Sequence, residues 1–207
     1  MRRQIIELVD SAVRRYGTRD PYEIIGMRKI NFGYTERLKD TLGYYAVITN
    51  RRFIRINSGA GRKDRLQTAA HELNHDLQHR RRLGKSGVLQ DARFFSMSED
   101  ALETEANVGA AELLIADEDV LRIVGYRRYA ECLARVRLVR PDLSENEARE
   151  FARLELRERL GTCVTLRGLS ARLGLDVPMV EFKIANLKEK GYFLPIEVET
   201  DGRFLKR

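Results

Sequence analysis

Strand and helix periods alternate in the first half of the chain, and helical periods fill the second. The opening segment MRRQIIELVDSAVRRYG reads as an amphipathic helix, Gly17 to Pro21 as a turn, and Tyr22 to Ile25 as the start of a short helix. Tyr44 to Ile48 and Phe53 to Ile56 read as strands joined by a polar turn at Thr49-Asn50-Arg51. Asn57 to Gly61 then breaks the pattern. The next stretch is helical: at roughly 100° per residue, Leu66, Ala70, Leu73 and Leu77 fall within about 60° of one another. A second helix is predicted over Glu99 to Ala116, with Leu102, Ala106, Gly109 and Leu113 as its apolar stripe. Arg80 to Ser98, between the two, reads as a loop rich in Arg, Lys and Gly. From Asp117 onward the chain is helical and highly charged, over Arg122 to Val139 and Ser144 to Leu160. Ser144 and Glu147 have capping-box spacing at the head of the latter.

The stripe on the first of these central helices matters because of what lies opposite it. His71-Glu72-Leu73-Asn74-His75 is a HExxH run, and its two imidazoles project from the far side within about 40° of each other. Residues i and i+4 share a helix face, so His71 and His75 can hold one metal ion from neighbouring turns. Glu72 stands on their flank, where a carboxylate can take a proton from an activated water. The expectation is a helix with its apolar side in a core and its histidines towards a cleft.

A catalytic zinc site needs three protein ligands and an open position. His79 is too far along the same helix, about 6 Å beyond His75, and Arg81 stands where the elongated metzincin pattern needs a histidine. The third ligand is therefore expected from the helix over 99–116. Glu105 lies on the edge of its stripe; Glu103 lies roughly 160° away, so both cannot face one metal.

The run TAAHELNHDLQH, followed about thirty residues later by ETEANVGAAELLIADEDV, resembles the ImmA/IrrE family of metallo-endopeptidases, the anti-repressor proteases of phages and mobile elements and their stress-response relatives. The upstream RYGTRDPYEI and LGYYAVITNRRFIRINS fit as well, and the resemblance covers residues from about 5 to 120. It implies a zincin-like fold with zinc held by His71, His75 and Glu105, the last in the EAN triplet, and Glu72 as the catalytic base. It also implies that Arg52 to Ile56 is the edge strand that pairs with substrate, and that the substrate is a helix-turn-helix repressor. Two positions depart from the family pattern: Asn74 stands where glycine is usual, and Gly109 where phenylalanine is usual.

Composition narrows the class without changing it. The 207 residues carry a net charge of +7, and the longest apolar run, Ala110 to Ala116, is far short of a membrane span. The N-terminal helix has no apolar core of a signal peptide, and Cys132 and Cys163 have no CxxC spacing, so a cytoplasmic protein with reduced thiols is expected. Leu166 to Leu173, a Gly174-Leu175 turn, Val177 to Lys190 capped by Asp176, and strands Ile196 to Val198 and Arg203 to Leu205 around Thr200-Asp201-Gly202 read as a winged-helix-like unit over about 165–207. The second helix mixes Glu181 and Glu189 with Lys183, Lys188 and Lys190, which weighs against DNA binding; Val180, Ile184 and Leu187 are expected to pack on the helix before it.

The expectation is thus an α+β protein. A zincin-like metallopeptidase domain over 1–120, with a small antiparallel sheet and the HExxH helix, precedes a helical, helix-turn-helix-like region over 121–207. The function expected is a zinc endopeptidase acting on a repressor. The rival is a DNA-binding or repressor-binding regulator with a structural or vestigial zinc site; the carboxylate at Glu72, for which a structural site has no need, argues against it.

Overall fold

The computed structural model describes residues 1–38, 41–83, 87–90, 101–160 and 164–197. Cys163 and all of the hairpin expected over Ile196 to Leu205 except Ile196 and Glu197 lie outside the described residues.

The chain begins with α1 (Arg2–Tyr16), whose Ile5, Ile6, Val9 and Ala12 are buried at helical spacing, and α2 (Pro21–Met27). Asp20 caps α2, its side chain accepting from the Tyr22 amide at 2.7 Å, with Pro21 pre-set for the first turn. Then come β1 (Asn31–Thr35), β2 (Gly43–Ile48) and β3 (Arg51–Asn57). Thr49 and Asn50 both have positive φ, 47° and 63°, the backbone of a type I′ two-residue hairpin turn. After α3 (Arg62–Gln78) the chain forms β4 (Gly87–Gln90), within the stretch expected to be a loop, and then α4 (Ala101–Leu114).

The sheet runs β1-β3-β2-β4, with β1 parallel to β3 and the other pairs antiparallel. Two expectations are corrected here. The sheet is mixed, because β1 carries too few apolar residues to announce itself but still pairs with β3. The strand holding Arg52 to Ile56 is interior, flanked by β1 and β2; the edges are β1 and β4.

Helix α3 lies on the β2–β3 face, and Gln67 to Asp76 are buried on every side. The expected division into a core face and an open histidine face does not hold, because α4 packs over the polar side. Asp76, 1 % exposed, accepts from Tyr45 Oη at 2.8 Å and from Arg28 Nε at 2.7 Å, with Arg52 Nη1 at 3.2 Å. That cluster ties α3 to α2, β2 and β3. Burial first, and then the neighbouring Asp76, raise the Tyr45 hydroxyl's pKa well above its ordinary value.

The two departures from the family pattern meet at the α3–α4 contact. A Cβ at Gly109 would lie 2.0 Å from Asn74 Oδ1. The Asn74 amide fills the space that a side chain at 109 would need, donating to Ala70 O at 2.8 Å and accepting from Gln78 Nε2 at 3.1 Å. A large residue at 74 thus faces a position at 109 that has no side chain.

Beyond residue 115 the helix expected over Arg122 to Val139 is two, α5 (Asp117–Ile123) and α6 (Tyr126–Val139), broken at Gly125 with φ 66°. Helix α7 (Glu145–Leu160) begins with the expected capping box, Ser144 Oγ and Glu147 being bonded at 2.6 Å and Glu147 reaching the Ser144 amide at 2.8 Å. Helices α6 and α7 enclose a small core of their own around Tyr129, Cys132, Val136, Ala148, Ala152 and Leu156. Then follow β5 (Val164–Thr165), α8 (Leu166–Leu173), α9 (Val177–Glu189) and β6 (Ile196–Glu197), with β5 and β6 parallel.

Helix α9 packs on α4 and α1 as well as α8, and its Met179, Val180, Phe182 and Leu187 join one core with Val9, Leu73 and Leu113. Its polar side is not free. Lys183 and Glu112 are both fully buried, 3.0 Å apart, and Asn186 Nδ2 donates to Glu112 Oε2 at 3.0 Å. Lys190 Nζ reaches Glu112 at 2.6 Å and Asp117 at 2.7 Å. Two lysines expected to face outwards therefore neutralise carboxylates of α4 and α5. Asp176 makes no cap bond to α9; its side chain holds Lys63 and Gln67 of α3. Among the described residues no helix is long and apolar enough to cross a membrane.

Candidate metal centre

The HExxH residues lie in the middle of α3, and the helix phase brings the two imidazoles together: His71 Nε2 and His75 Nε2 are 2.9 Å apart, in residues 1 % and 0 % exposed. The carboxylate that meets them belongs to Glu103. Its oxygens lie 3.0 Å from His71 Nε2 and 3.4 Å from His75 Nε2. Potential ligand atoms of His71, His75 and Glu103 all fall within 4.8 Å of one another.

Glu105, expected as the third member, points elsewhere: its Oε2 is 2.9 Å from His79 Nε2. The structure thus replaces Glu105 by Glu103 beside the histidine pair. Stripe phase could not choose between them, because α4 is buried all round from Ala106 to Leu113 and its apolar residues do not mark one side. The usable signal was a different pair. Glu103 and Asn107 are i and i+4 on one face, and both reach His71.

Each of these two imidazoles has a partner on its other nitrogen, and the sequence names neither. His71 Nδ1 is 2.8 Å from Asn107 Oδ1, and His75 Nδ1 is 2.9 Å from His79 Nδ1. An amide oxygen only accepts, so His71 carries its proton on Nδ1 and presents a lone pair at Nε2. Burial pushes the His75 imidazole down to about 4, against the neighbouring Glu103 carboxylate that raises it, so it is neutral at pH 7. Burial also raises Glu103, but the adjacent His71 and His75 rings outweigh that and hold it well below the carboxylate range. Two imidazoles and a carboxylate converging in this largely buried place form a donor set suited to zinc, whose ligand atoms sit roughly 3.3 Å apart in a tetrahedron. The residues present fit the ion.

Glu72 is fully buried beside this group, and Gly43 at the start of β2 is what lets the sheet approach it. A Cβ at 43 would fall 2.5 Å from Thr68 Cγ2 and 3.2 Å from Glu72 Oε1. The hollows on the surface are elsewhere. One, of about 480 Å³, is lined by Tyr34, Thr35, Glu36, Arg37 and Ser58, and another lies between α6 and α7. Neither hollow brings histidines and a carboxylate together, and in the second Glu145 is already neutralised by Arg137 and Arg149, so the metal centre is the better candidate.

Comparison with known proteins identifies a family whose matched region includes these residues. The profile of the IrrE N-terminal-like domain, peptidase family M78, matches residues 34–140. An "uncharacterized immunity region protein 2" of Bacillus phage phi105 is 30% identical over 109 residues, 53% of this chain and 66% of its own length, just under two thirds. No solved structure matches. With more than half of its length matched by that profile, the chain belongs to the IrrE N-terminal-like, M78 peptidase family.

Proposed function

We propose that the protein is a zinc-dependent endopeptidase, with His71, His75 and Glu103 as ligands and Glu72 as general base. The observation that carries this is the convergence of His71 Nε2, His75 Nε2 and the Glu103 carboxylate, one residue away from a buried glutamate, in a chain of a peptidase family. Bound there, zinc would supply a Lewis acid that activates water and polarises the scissile carbonyl. Glu72 takes the proton of the attacking water and returns it to the leaving amine. Asn107 holds His71 in the tautomer that leaves Nε2 unprotonated. Substrate is placed by strand addition along β4, the edge nearest this chemistry: Gln90 pairs with Tyr44, next to Gly43 over Glu72.

The substrate in this reading is a helix-turn-helix repressor met in the cytoplasm. Its support is the relative whose printed name places it in a phage immunity region. The DNA-binding alternative has no comparable support in α9, where Lys183 and Asn186 are fully buried. The test is co-expression with a repressor encoded beside the gene, following the repressor's length on a gel. Wild type is expected to shorten it, and Glu72→Gln to lose 10² to 10⁴ in rate, an order of magnitude set by general-base removal, while keeping zinc. Full-length repressor with both proteins, and repression relieved by both, refutes peptidase action in favour of binding.

A further inference from the structure

The third histidine has a geometry of its own, outside the three ligands. His79 is 1 % exposed, its Nδ1 is 2.9 Å from His75 Nδ1, and its Nε2 is 2.9 Å from Glu105 Oε2. We infer that His79 and Glu105 are positioning residues that fix the tautomer of His75, so that its Nε2 faces the metal centre as a lone pair. The inference rests on the reading of His71, His75 and Glu103 as the metal ligands.

The argument runs from the end of the chain of bonds. An ionised carboxylate only accepts hydrogen bonds, so Glu105 takes the Nε2–H of His79. With its proton on Nε2, facing Glu105, the His79 ring has a lone pair on Nδ1. That lone pair can only accept, and the atom facing it is His75 Nδ1, which must then carry the proton. His75 Nε2 is left unprotonated, 2.9 Å from His71 Nε2 and 3.4 Å from Glu103. Remove the acceptor at 105 and His79 is free to carry its proton on Nδ1. Two N–H groups would then face each other at His75, relieved only by moving the His75 proton to Nε2, where it blocks a metal.

The two ligand histidines are therefore oriented by two residues of the same helix. Asn107 acts on His71 directly, and Glu105 acts on His75 through His79. This also accounts for the spacing of Glu103, Glu105 and Asn107: the first meets the Nε2 side of the pair, and the other two serve the Nδ1 side. A purely structural role, locking α3 to α4, is already served by Gln78, whose Nε2 donates to Glu105 O at 3.2 Å through the backbone and does not need the Glu105 side chain.

The test uses the full-length protein, zinc competed against a chelator, and the absorption spectrum of the cobalt(II) form. Glu105→Leu and His79→Leu should weaken zinc 10- to 100-fold, the range typical of removing an orienting partner, and should alter the cobalt spectrum. Glu105→Gln keeps an acceptor oxygen and should restore zinc affinity to within a few-fold of wild type. Affinity unchanged within twofold and an unaltered cobalt spectrum in folded Glu105→Leu would overturn the inference. Ring nitrogen-15 shifts of the zinc-loaded wild type give a reading that requires no variant: a proton on His75 Nδ1 and on His79 Nε2 is expected, and a proton on His79 Nδ1 overturns the inference. A wild type that takes up no zinc, or a Glu103→Ala variant that keeps it, overturns the ligand assignment itself. Zinc uptake that depends on Glu103 but not on Glu105 or His79 ends only the positioning role.

Discussion

Gly109→Ala should destabilise the protein although alanine is the better helix former. The added Cβ would lie 2.0 Å from Asn74 Oδ1, 2.6 Å from Asn74 Cγ and 2.7 Å from Gln78 Nε2, so Asn74 must move by more than 1 Å, roughly the shortfall from ordinary contact distance. Asn74 is fully buried and held by Ala70 O and Gln78. Overpacking costs about 1–3 kcal/mol, and a disrupted buried hydrogen bond about 1–3 kcal/mol more. The helix-propensity gain of alanine over glycine returns about 1 kcal/mol. A net loss of about 2–4 kcal/mol is expected in urea unfolding. Asn74→Ala removes the obstructing amide, so the double variant should be more stable than the sum of the singles by at least about 1 kcal/mol, the coupling expected of residues in contact. Gly109→Ala as stable as wild type, or strictly additive effects, would refute the reciprocal packing of 74 and 109.

Lys183→Ala should cost about 1–3 kcal/mol, because it removes one of the two lysines that neutralise the fully buried Glu112 carboxylate, Lys190 remaining; a change below about 0.5 kcal/mol would mean the charge is not buried in solution. Truncation after Gly161 should lose cooperative unfolding and zinc uptake together, since it uncovers the side of α4 that α9 packs against; a folded, zinc-binding fragment would contradict the shared core. Metal-free protein should weaken in mild acid. His75 is pushed down to about 4 when folded and is near 6.5 when unfolded, so the unfolded chain binds the extra proton between those values. Its contribution is complete above about pH 6.5 and falls towards pH 4 at up to about 1.4 kcal/mol per pH unit. Urea midpoints from pH 7.5 to 4.5 in chelator should fall in wild type and fall less in His75→Gln.

What the sequence could show was set by which signals are local. The helical phase of His71 and His75, the turn at Thr49-Asn50 and the Ser144–Glu147 cap depend on neighbours within five residues. Strand β1 and the placing of α9 depend on partners far along the chain. Asn31 to Thr35 are exposed or half-buried and alternate weakly, and their pairing with β3 supplies what propensity lacks. Lys183 reads as a solvated lysine until Glu112 and Asp117 are brought to it from α4 and α5. The placing of Glu105 away from the histidine pair has the same origin. Hydrophobic phase orients a helix that has one wet side, and α4 from Ala106 to Leu113 has none. The second partners of His71 and His75 were open to helical arithmetic only for His79, which stands one turn beyond His75 and had been weighed as a ligand only.

The most direct test of the account is where zinc sits. Crystals of the full-length protein grown with zinc should show a single strong anomalous peak at the zinc edge. It should lie about 2.0–2.2 Å from His71 Nε2, His75 Nε2 and a Glu103 oxygen, the bond lengths zinc takes with such ligands. Glu105 should remain on His79. A peak bound by Glu105 in place of Glu103, or no peak between the two histidines at full zinc loading, would contradict it.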